Sequence, residues 1–193
     1  MSGETRRKKR IGVLAVQGAF AEHEAAFARL GAECFEIRQG SDVQACDALV
    51  LPGGESTTQG KLMRELGIFE GLKALVDSGT PTFATCAGLI LLAEKIVGEE
   101  RAWFGTTPIV ARRNAYGRQL GSFNACLTFE GVGEVAGTFI RAPQIESIGE
   151  GAEVLAQIGD RPVAVRFRNQ WALAFHPELG VDDRIAKAFL ESF

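Results

Sequence analysis

Short apolar runs alternate with helical segments through the first half of this chain. Residues 11–16 and 48–51 are continuous apolar runs of the kind that parallel sheets bury on both faces. Residues 19–30 and 58–78 carry apolar side chains at helical spacing, with a break near Gly67 in the second segment. This β-α-β alternation with short links predicts an α/β fold in which helices cover both faces of a mostly parallel sheet.

The second half of the chain has a different pattern, with shorter apolar runs separated by turns that contain Gly, Asn or Pro. We predict strands over residues 109–112, 123–129, 135–140, 154–158, 163–167 and 172–175. We expect several of them to join the sheet as antiparallel strands, and a last helix to cover residues 182–193. The whole pattern predicts three layers around one central sheet.

The size and composition favour a single globular enzyme domain. The 193 residues are 46% apolar, which allows a substantial core. The formal net charge of −3 gives no general attraction to nucleic acid or membranes, and no apolar run is long enough to span a bilayer. The four cysteines form no CxxC pair, which argues against a zinc site and a secreted disulfide framework. We therefore predict a reducing, cytoplasmic location.

A basic segment, Arg6-Arg7-Lys8-Lys9-Arg10, precedes the first apolar run. That run is too short for the core of a signal peptide, and no small-residue cleavage site follows it. We predict that residues 1–10 are a disordered basic extension and that residues 11–193 form the folded domain. A tail that binds nucleic acid is the alternative.

The stretch over residues 81–92 places Cys86 where a predicted strand passes into a predicted helix. Ala84, Ala87 and Gly88 flank this cysteine. Small neighbours allow the sharp strand-to-helix turn that presents a nucleophile at its tip. The start of a helix also favours a thiolate over a thiol. A small buried core cysteine is the alternative, so Cys86 needs partners to count as a nucleophile.

One of the two histidines, His176, lies in Phe175-His176-Pro177-Glu178, just after a predicted strand. Residues two apart in an extended chain point to the same side, and proline favours extended backbone in the residue before it. The carboxylate of Glu178 can therefore accept one ring N–H of His176 and orient the other nitrogen. A structural histidine is the alternative. The other histidine, His23, lies on the first predicted helix, and we expect it at the surface or an interface.

A glycine-rich loop, Pro52-Gly53-Gly54-Glu55-Ser56, ends another predicted strand. Ligands of open α/β sheets bind beyond the carboxyl ends of the strands. Paired glycines there leave backbone N–H groups accessible, so the amides of Gly54 and Ala87 can form an oxyanion hole. An ordinary turn and a phosphate-binding loop are the alternatives, although the GxGxxG and GxxxxGK[ST] patterns are both missing.

Together these features predict an acyl-transfer site in which Cys86 is the nucleophile and His176 with Glu178 relays protons. Longer blocks of sequence are more specific than the three features. They are Gly12-Val13-Leu14-Ala15-Val16-Gln17-Gly18-Ala19, Leu51-Pro52-Gly53-Gly54-Glu55-Ser56-Thr57-Thr58, Thr85-Cys86-Ala87-Gly88-Leu89-Ile90, Arg113-Asn114-Ala115-Tyr116-Gly117-Arg118-Gln119, Phe139-Ile140-Arg141-Ala142-Pro143 and Phe175-His176-Pro177-Glu178-Leu179.

On these blocks the chain resembles the class I (triad) glutamine amidotransferases and, within them, the glutaminase subunits of pyridoxal 5′-phosphate synthase. The resemblance implies a flavodoxin-like fold and hydrolysis of L-glutamine to L-glutamate and ammonia without a metal or organic cofactor. It implies a (β/α)₈-barrel synthase subunit as partner, which receives the ammonia for vitamin B6 synthesis in a large hetero-oligomer. The glutamine contacts that it implies are Gly54, Glu55, Ser56, Arg113, Ile140 and Arg141.

The sequence departs little from this pattern, with Ala84 where glycine is common and Tyr116 where phenylalanine is common. For Arg113 and Arg141, the residues leave open whether each guanidinium meets a ligand carboxylate or an ion pair that shapes the site. Two other functions also stay open. One is a glutaminase subunit for another pathway, such as imidazole glycerol phosphate synthase, and the other is a non-catalytic α/β binding or stress-response module.

Overall fold

The structure is a computed structural model that describes residues 7–113 and 122–193, with twelve strands and five α-helices in these ranges. The strands are β1 (Arg10–Leu14), β2 (Glu33–Ile37), β3 (Ala48–Leu51), β4 (Thr82–Thr85), β5 (Ala93–Ile96), β6 (Thr107–Arg112), β7 (Ser122–Phe129), β8 (Gly133–Ile140), β9 (Gln144–Ile148), β10 (Glu153–Ile158), β11 (Arg161–Phe167) and β12 (Gln170–Leu173). The helices are α1 (Phe20–Arg29), α2 (Ser56–Glu65), α3 (Phe69–Asp77), α4 (Ala87–Leu92) and α5 (Arg184–Glu191).

A seven-stranded sheet with the order β10-β11-β12-β4-β3-β1-β2 forms the centre of the molecule. The five strands from β12 to β2 are parallel, and β11 and β10 extend one edge as antiparallel strands. The α/β fold class with a mostly parallel sheet is therefore confirmed, as are antiparallel strands from the second half of the chain.

Helices cover both faces of this sheet because the chain leaves its middle in opposite directions. The crossover through α1 leads from β1 outward to β2, whereas the crossover through α2 and α3 leads from β3 the other way to β4. Since such crossovers are right-handed, α1 lies on one face and α2 and α3 on the other. Helix α5 packs against α1, and α4 packs against α2. The strand order thus reverses between β1 and β3, where doubly wound sheets bind ligands.

An aromatic cluster fixes α1 and α5 on their face of the sheet. Phe83 of β4 is 1% exposed, and its ring centroid lies 5.8 Å from that of Phe27 and 5.0 Å from that of Phe189. Burial of rings of this size is a main source of stability in a core, and edge-to-face contacts add to it. The cluster therefore anchors both helices next to Cys86, which follows β4 directly.

Three of the six strands predicted in the second half, β6, β7 and β8, lie outside the central sheet. Strand β6 belongs to a three-stranded sheet with β5 and β9, and β7 pairs with β8 in a two-stranded ribbon. The turn between β7 and β8 is short, so these two strands pair with each other as a hairpin. Strands β5 and β9 were not predicted, and β12 ends at Leu173, two residues earlier than expected.

The basic segment before the first strand meets the domain where the structure describes it. Arg10 is the first residue of β1, and its backbone N–H donates to Asp47 Oδ2 at 2.7 Å. Arg7 Nη2 lies 2.6 Å from Asp47 Oδ1. The first strand thus begins one residue before the predicted boundary. Residues 1–6 lie outside the described residues, and the extension over residues 1–10 stays a prediction. Within the described ranges, no helix has the length and apolarity that a bilayer crossing needs.

Candidate active site

A pocket of about 360 Å³ opens at the carboxyl ends of the parallel strands, within the volume range of small-molecule sites. The loops that follow β1, β3 and β4 all contribute to its wall. Cys86 and His176 line it, as do all the residues predicted to contact glutamine, which are Gly54, Glu55, Ser56, Arg113, Ile140 and Arg141. The structure thus brings together residues that are distant in the sequence, with the farthest two, Gly54 and His176, 122 positions apart.

Cys86 stands on a sharp turn between β4 and α4. Its backbone has φ 47° and ψ −98°, and its N–H donates to Leu173 O at 2.8 Å. The turn is tight because a Cβ on Gly88 would lie 2.1 Å from Leu51 O, so only glycine lets α4 begin this close to β3. Cys86 Sγ lies 3.9 Å from Ile140 O, and the Cys86 and His176 side chains line the same pocket. The predicted elbow is therefore present in the backbone.

His176 and Glu178 form a buried hydrogen-bonded pair beside this turn. His176 Nδ1 lies 2.7 Å from Glu178 Oε1, and the two residues are 7% and 6% exposed. The pair does not lie in extended backbone, which corrects the local geometry expected from the sequence. A 3₁₀ turn, Pro177–Leu179, follows His176 directly and carries Glu178 back toward the ring. Proline suits the first position of such a turn because its φ is already fixed near the helical value.

Charge on the pair follows from its neighbours. Burial lowers the pKa of His176, but the Cys86 side chain and the Glu178 carboxylate, which stabilise the protonated ring, outweigh burial and raise it to about 10. Burial raises the pKa of Glu178, but the hydrogen bond from His176 and the positive charge of that ring help to bring it below its usual value. At neutral pH the ring is therefore an imidazolium between a carboxylate and the Cys86 side chain.

The second histidine is also in this cluster, which corrects its expected surface position. His23 of α1 is 1% exposed, and its Nε2 lies 3.0 Å from Thr85 Oγ1 and 3.4 Å from Glu178 Oε1. The helical spacing of His23 with Ala26 and Phe27, both buried, was the signal that could have identified its inward position.

The glycine loop packs directly on the His176 ring. A Cβ on Gly53 would lie 2.2 Å from His176 Cε1, so a side chain there would displace the ring or the loop. The Gly53 N–H donates to Thr85 Oγ1 at 3.0 Å, and the Glu55 N–H donates to Gln17 Oε1 at 2.8 Å. The Gly54 N–H lies between these two donors and donates to no acceptor among the described residues.

Two glutamines that sequence reasoning did not assign hold this loop in place. Gln59 is fully buried, and its Nε2 donates to Gln17 O at 3.0 Å and to Pro52 O at 3.1 Å. A Cβ on Gly54 would lie 2.4 Å from Gln17 Oε1 and 2.9 Å from Gln59 Nε2. The loops after β1 and β3 are therefore bound to each other through side-chain amides, which fixes the backbone of Gly54.

Glu55 caps helix α2 instead of presenting a free carboxylate to the pocket. Its oxygens accept hydrogen bonds from the backbone N–H groups of Thr57 and Thr58, at 3.1 and 2.7 Å, and from the Thr58 hydroxyl at 2.6 Å. Burial raises the pKa of Glu55, but these hydrogen bonds outweigh it and bring the pKa down to about 2. The carboxylate therefore stays ionised at neutral pH.

The sequence left open whether the Arg113 guanidinium meets a ligand carboxylate or an ion pair. In the structure it takes part in an ion-pair network at the pocket wall. Its Nη1 lies 3.2 Å from Glu55 Oε1 and 2.6 Å from Thr57 Oγ1, and its Nε lies 2.8 Å from Glu99 Oε1. The rest of that sequence block, residues 114–119, lies outside the described residues. Arg141 has φ 42°, is exposed, and forms no ion pair with residues 7–113 or 122–193.

Comparison with known proteins agrees with this geometry. A family model described as the SNO glutamine amidotransferase family matches residues 13–193. The chain is 56% identical to the pyridoxal 5′-phosphate synthase subunit PdxT of Desulfitobacterium hafniense (strain Y51), over 95% of this chain and 92% of that protein. It is 54% identical to the subunit of the same name from Methanocorpusculum labreanum, over 94% of this chain and 96% of that protein.

A solved structure described as a glutamine amidotransferase has a similar fold. It superposes with a TM-score of 0.89 at 49% identity and covers 94% of this chain and 97% of its own. Family and fold therefore agree with each other over nearly the whole length. The chain belongs to the SNO glutamine amidotransferase family.

Proposed function

We propose that this chain is the glutaminase subunit of a pyridoxal 5′-phosphate synthase, which hydrolyses L-glutamine to L-glutamate and ammonia. The observation that carries the proposal is the meeting of Cys86 with the His176–Glu178 pair in one pocket. The names of the two relatives, each a pyridoxal 5′-phosphate synthase subunit at more than half identity, support the choice of pathway.

The first half-reaction forms a covalent intermediate on Cys86. The Cys86 thiolate attacks the side-chain amide carbon of glutamine, and the amides of Gly54 and Ala87 hold the oxyanion that forms. The His176 imidazolium then gives its proton to the leaving nitrogen, the C–N bond breaks and ammonia departs. A γ-glutamyl thioester on Cys86 remains.

The second half-reaction returns the site to its starting state. His176, now neutral, takes a proton from water, and the resulting hydroxide attacks the thioester carbon. The C–S bond breaks, glutamate leaves, and the thiolate and imidazolium form again. Glu178 keeps its negative charge throughout and orients the ring through Nδ1, the role of the third member of a triad.

Glutamine binds along the wall made by Gly54, Glu55, Ser56, Arg113, Ile140 and Arg141 in this proposal. Glu55 acts through its backbone and through its ion pair with Arg113, because its carboxylate caps α2. The guanidinium of Arg141, exposed at the pocket wall, suits the α-carboxylate of the substrate.

Ammonia must pass directly to a second protein in this proposal, since in water at neutral pH it would be protonated and lost. The partner is a (β/α)₈-barrel synthase subunit, and the two kinds of subunit form a large hetero-oligomer. Ile140 and Leu179 line the pocket and are 36% and 43% exposed, so apolar surface borders the opening, which supports docking there. All four cysteines are free thiols, which supports work in the reducing cytoplasm.

The test is glutamate release by the purified chain together with the synthase subunit, comparing wild type with Cys86→Ala. We expect the variant to lose at least about 10³-fold in rate, because no other group replaces the nucleophile. Formation of pyridoxal 5′-phosphate from ammonium salt in the same mixture is the control, because it needs the assembled synthase but no glutaminase.

Two outcomes would oppose the proposal. Equal glutamate release by wild type and Cys86→Ala would remove the triad and favour a non-catalytic module. Stimulation by the cyclase subunit of imidazole glycerol phosphate synthase, and none by the pyridoxal 5′-phosphate synthase subunit, would keep the chemistry and change the pathway.

A further inference from the structure

His23 is a buried imidazole that contacts both the carboxylate of the catalytic pair and the residue that holds the glycine loop. Its Nε2 lies 3.4 Å from Glu178 Oε1 and 3.0 Å from Thr85 Oγ1. We propose that His23 is a positioning residue for glutamine hydrolysis, which holds Glu178 and Thr85 from one atom and so fixes the His176 ring and the glycine loop relative to each other. This inference rests on the proposed function, since it concerns the same reaction.

The contact with Glu178 matters because this carboxylate has few partners. Both histidines approach the same oxygen, Oε1, with His176 at 2.7 Å and His23 at 3.4 Å. The other oxygen, Oε2, is buried and hydrogen-bonds no other residue within the described ranges. Without His23, the carboxylate would keep His176 as its one side-chain partner there. A buried carboxylate with too few hydrogen-bond partners changes its position, and the His176 ring that Glu178 orients would then move as well.

The contact with Thr85 reaches the oxyanion side of the site. Thr85 is fully buried and directly precedes Cys86. Its hydroxyl oxygen accepts the Gly53 N–H at 3.0 Å while it also meets His23 Nε2. The path from Glu178 through His23 and Thr85 to Gly53 therefore joins the proton relay to the loop that carries the Gly54 amide. Both must keep their places for the attack on one amide carbon.

The charge state of His23 suits this role. Burial lowers the pKa of His23, and the positive charge of His176 lowers it further. The negative charges of Glu178 and Glu22 raise this pKa, but burial outweighs them. The ring is neutral at pH 7 and carries one N–H. The carboxylate oxygen near Nε2 favours the tautomer with the proton on that nitrogen. His23 thus supplies a donor without adding a second positive charge beside His176.

A packing role is the competing explanation, and the helix offers a matched control for it. The His23 ring packs edge-on against Phe83 at 5.9 Å, and Phe27, one turn later, does the same at 5.8 Å. Both side chains are buried. Phe27→Leu therefore removes an equivalent ring contact without touching Glu178 or Thr85, and His23→Phe keeps a ring while removing Nε2.

The variants His23→Gln and His23→Asn both supply an amide N–H donor, but they place it at different distances from Cβ. Counting bonds from Cβ, the amide nitrogen of glutamine lies where Nε2 lies in histidine, whereas that of asparagine lies one bond short, where Nδ1 does. If the Nε2 contacts position the site, His23→Gln restores function and His23→Asn does not. If ring packing is what matters, both amides fail equally and His23→Phe performs best.

The experiment measures glutamate release with the synthase subunit present, with kcat and KM determined separately and Tm measured for each variant. We expect His23→Phe and His23→Asn to lose about 10- to 100-fold in kcat, the effect of leaving buried polar groups without a partner, with His23→Gln within about threefold of wild type. KM should change less than about twofold, because His23 does not line the pocket and so leaves uniform substrate binding intact.

Thr85→Val supplies a second arm, since it removes the hydroxyl that joins His23 to Gly53. On a shared path the double variant with His23→Phe should lose less than the product of the two single losses. Wild-type kcat in His23→Phe, equal failure of His23→Gln and His23→Asn, or kcat losses in Phe27→Leu as large as in His23→Phe would each overturn the inference. Cys86→Ala runs in parallel: full activity there would reject the proposed function itself, whereas its inactivity beside a fully active His23→Phe would reject the role of His23 alone.

Discussion

Gly53 and His176 pack so closely that a single methyl group on Gly53 would lie 2.2 Å from Cε1 of the ring and 2.8 Å from Nδ1. The glycine loop and the imidazole therefore form a fitted contact, in which the absence of a side chain at residue 53 sets the position of the ring. The same residue is bound to Thr85 through its N–H, so it has little freedom to retreat.

Gly53→Ala should reduce partner-stimulated glutamine hydrolysis by about 10²-fold, because relief of the clash moves the ring or the loop by roughly 1 Å. Gly180→Ala is the matched control. That glycine ends the 3₁₀ turn next to Glu178, and an added Cβ there would meet nothing closer than 3.6 Å. We expect near wild-type rates from the control, and wild-type rates from Gly53→Ala would contradict the fitted contact.

The free energy of unfolding should fall as the pH rises through the alkaline range, because of His176. Its pKa is about 10 in the folded chain against an ordinary 6.5. The stabilising contribution is therefore complete below pH 6.5 and is lost as the pH approaches 10. Chemical denaturation at several pH values, comparing wild type with His176→Gln, measures it as a difference.

The variant is needed in that measurement because a cysteine acts in the same direction. Burial raises the pKa of Cys34 from 9.0 to about 11, with a smaller contribution from Glu24, which also lowers stability at high pH. This contribution is common to wild type and His176→Gln, so it cancels in the difference. A difference between the two proteins that does not change from pH 6.5 to 10 would contradict the raised pKa of His176.

Glu55→Gln should destabilise the chain at neutral pH and much less in acid. The pKa of Glu55 is about 2 in the folded chain against an ordinary 4.5, so its contribution is present above pH 4.5 and is lost as the pH falls toward 2. Its side chain is 47% exposed, so we expect only about 0.5–1 kcal/mol at pH 7. Glu65→Gln, at the exposed far end of α2, is the control. An equal loss in both variants would show that the cap contributes nothing specific.

Gln59→Leu should cost about 2–3 kcal/mol in the free energy of unfolding, because it leaves the buried carbonyl of Pro52 and the partly buried carbonyl of Gln17 without their donor. Activity should fall as well, since these bonds tie the two loops around Gly54 together. Gln157→Leu, on the exposed side of edge strand β10, provides the comparison. Denaturant melts and glutamate release on both variants check this, and unchanged stability in Gln59→Leu would contradict it.

Sequence patterns identified the strands and helices whose apolar residues follow a clear local pattern. Strand β3 has the predicted bounds, and the break near Gly67 lies between α2 and α3, where that glycine has φ 69°. The strand β5 was missed because it follows α4 directly and is only four residues long, and its sequence, Ala93-Glu94-Lys95-Ile96, lacks the apolar alternation of a strand. The pairing of β6 with β9 could not be predicted because it joins residues that lie far apart in the sequence.

The functional residues also divide into those with a local sequence signal and those whose role depends on the folded structure. Cys86, His176 and Gly54 could be predicted because each carries a local signal, a small-residue turn or a short motif. His23 and Gln59 lie in no such motif, and their roles arise where α1, α2 and the glycine loop meet. An ordinary polar residue on a helix gives no indication of which buried oxygen it will face once the layers pack.

The backbone of Cys86 has a consequence for the design of the chain as a whole. A residue with φ 47° and ψ −98° pays a steric penalty of about 1–3 kcal/mol unless it is glycine. Cys86→Gly should therefore raise the melting temperature while abolishing hydrolysis, since the same substitution relaxes the backbone and removes the sulfur. At this position the residue that gives the most stable protein differs from the residue that the enzyme needs. The buried apolar side chains of α4 hold Cys86 in its strained backbone conformation.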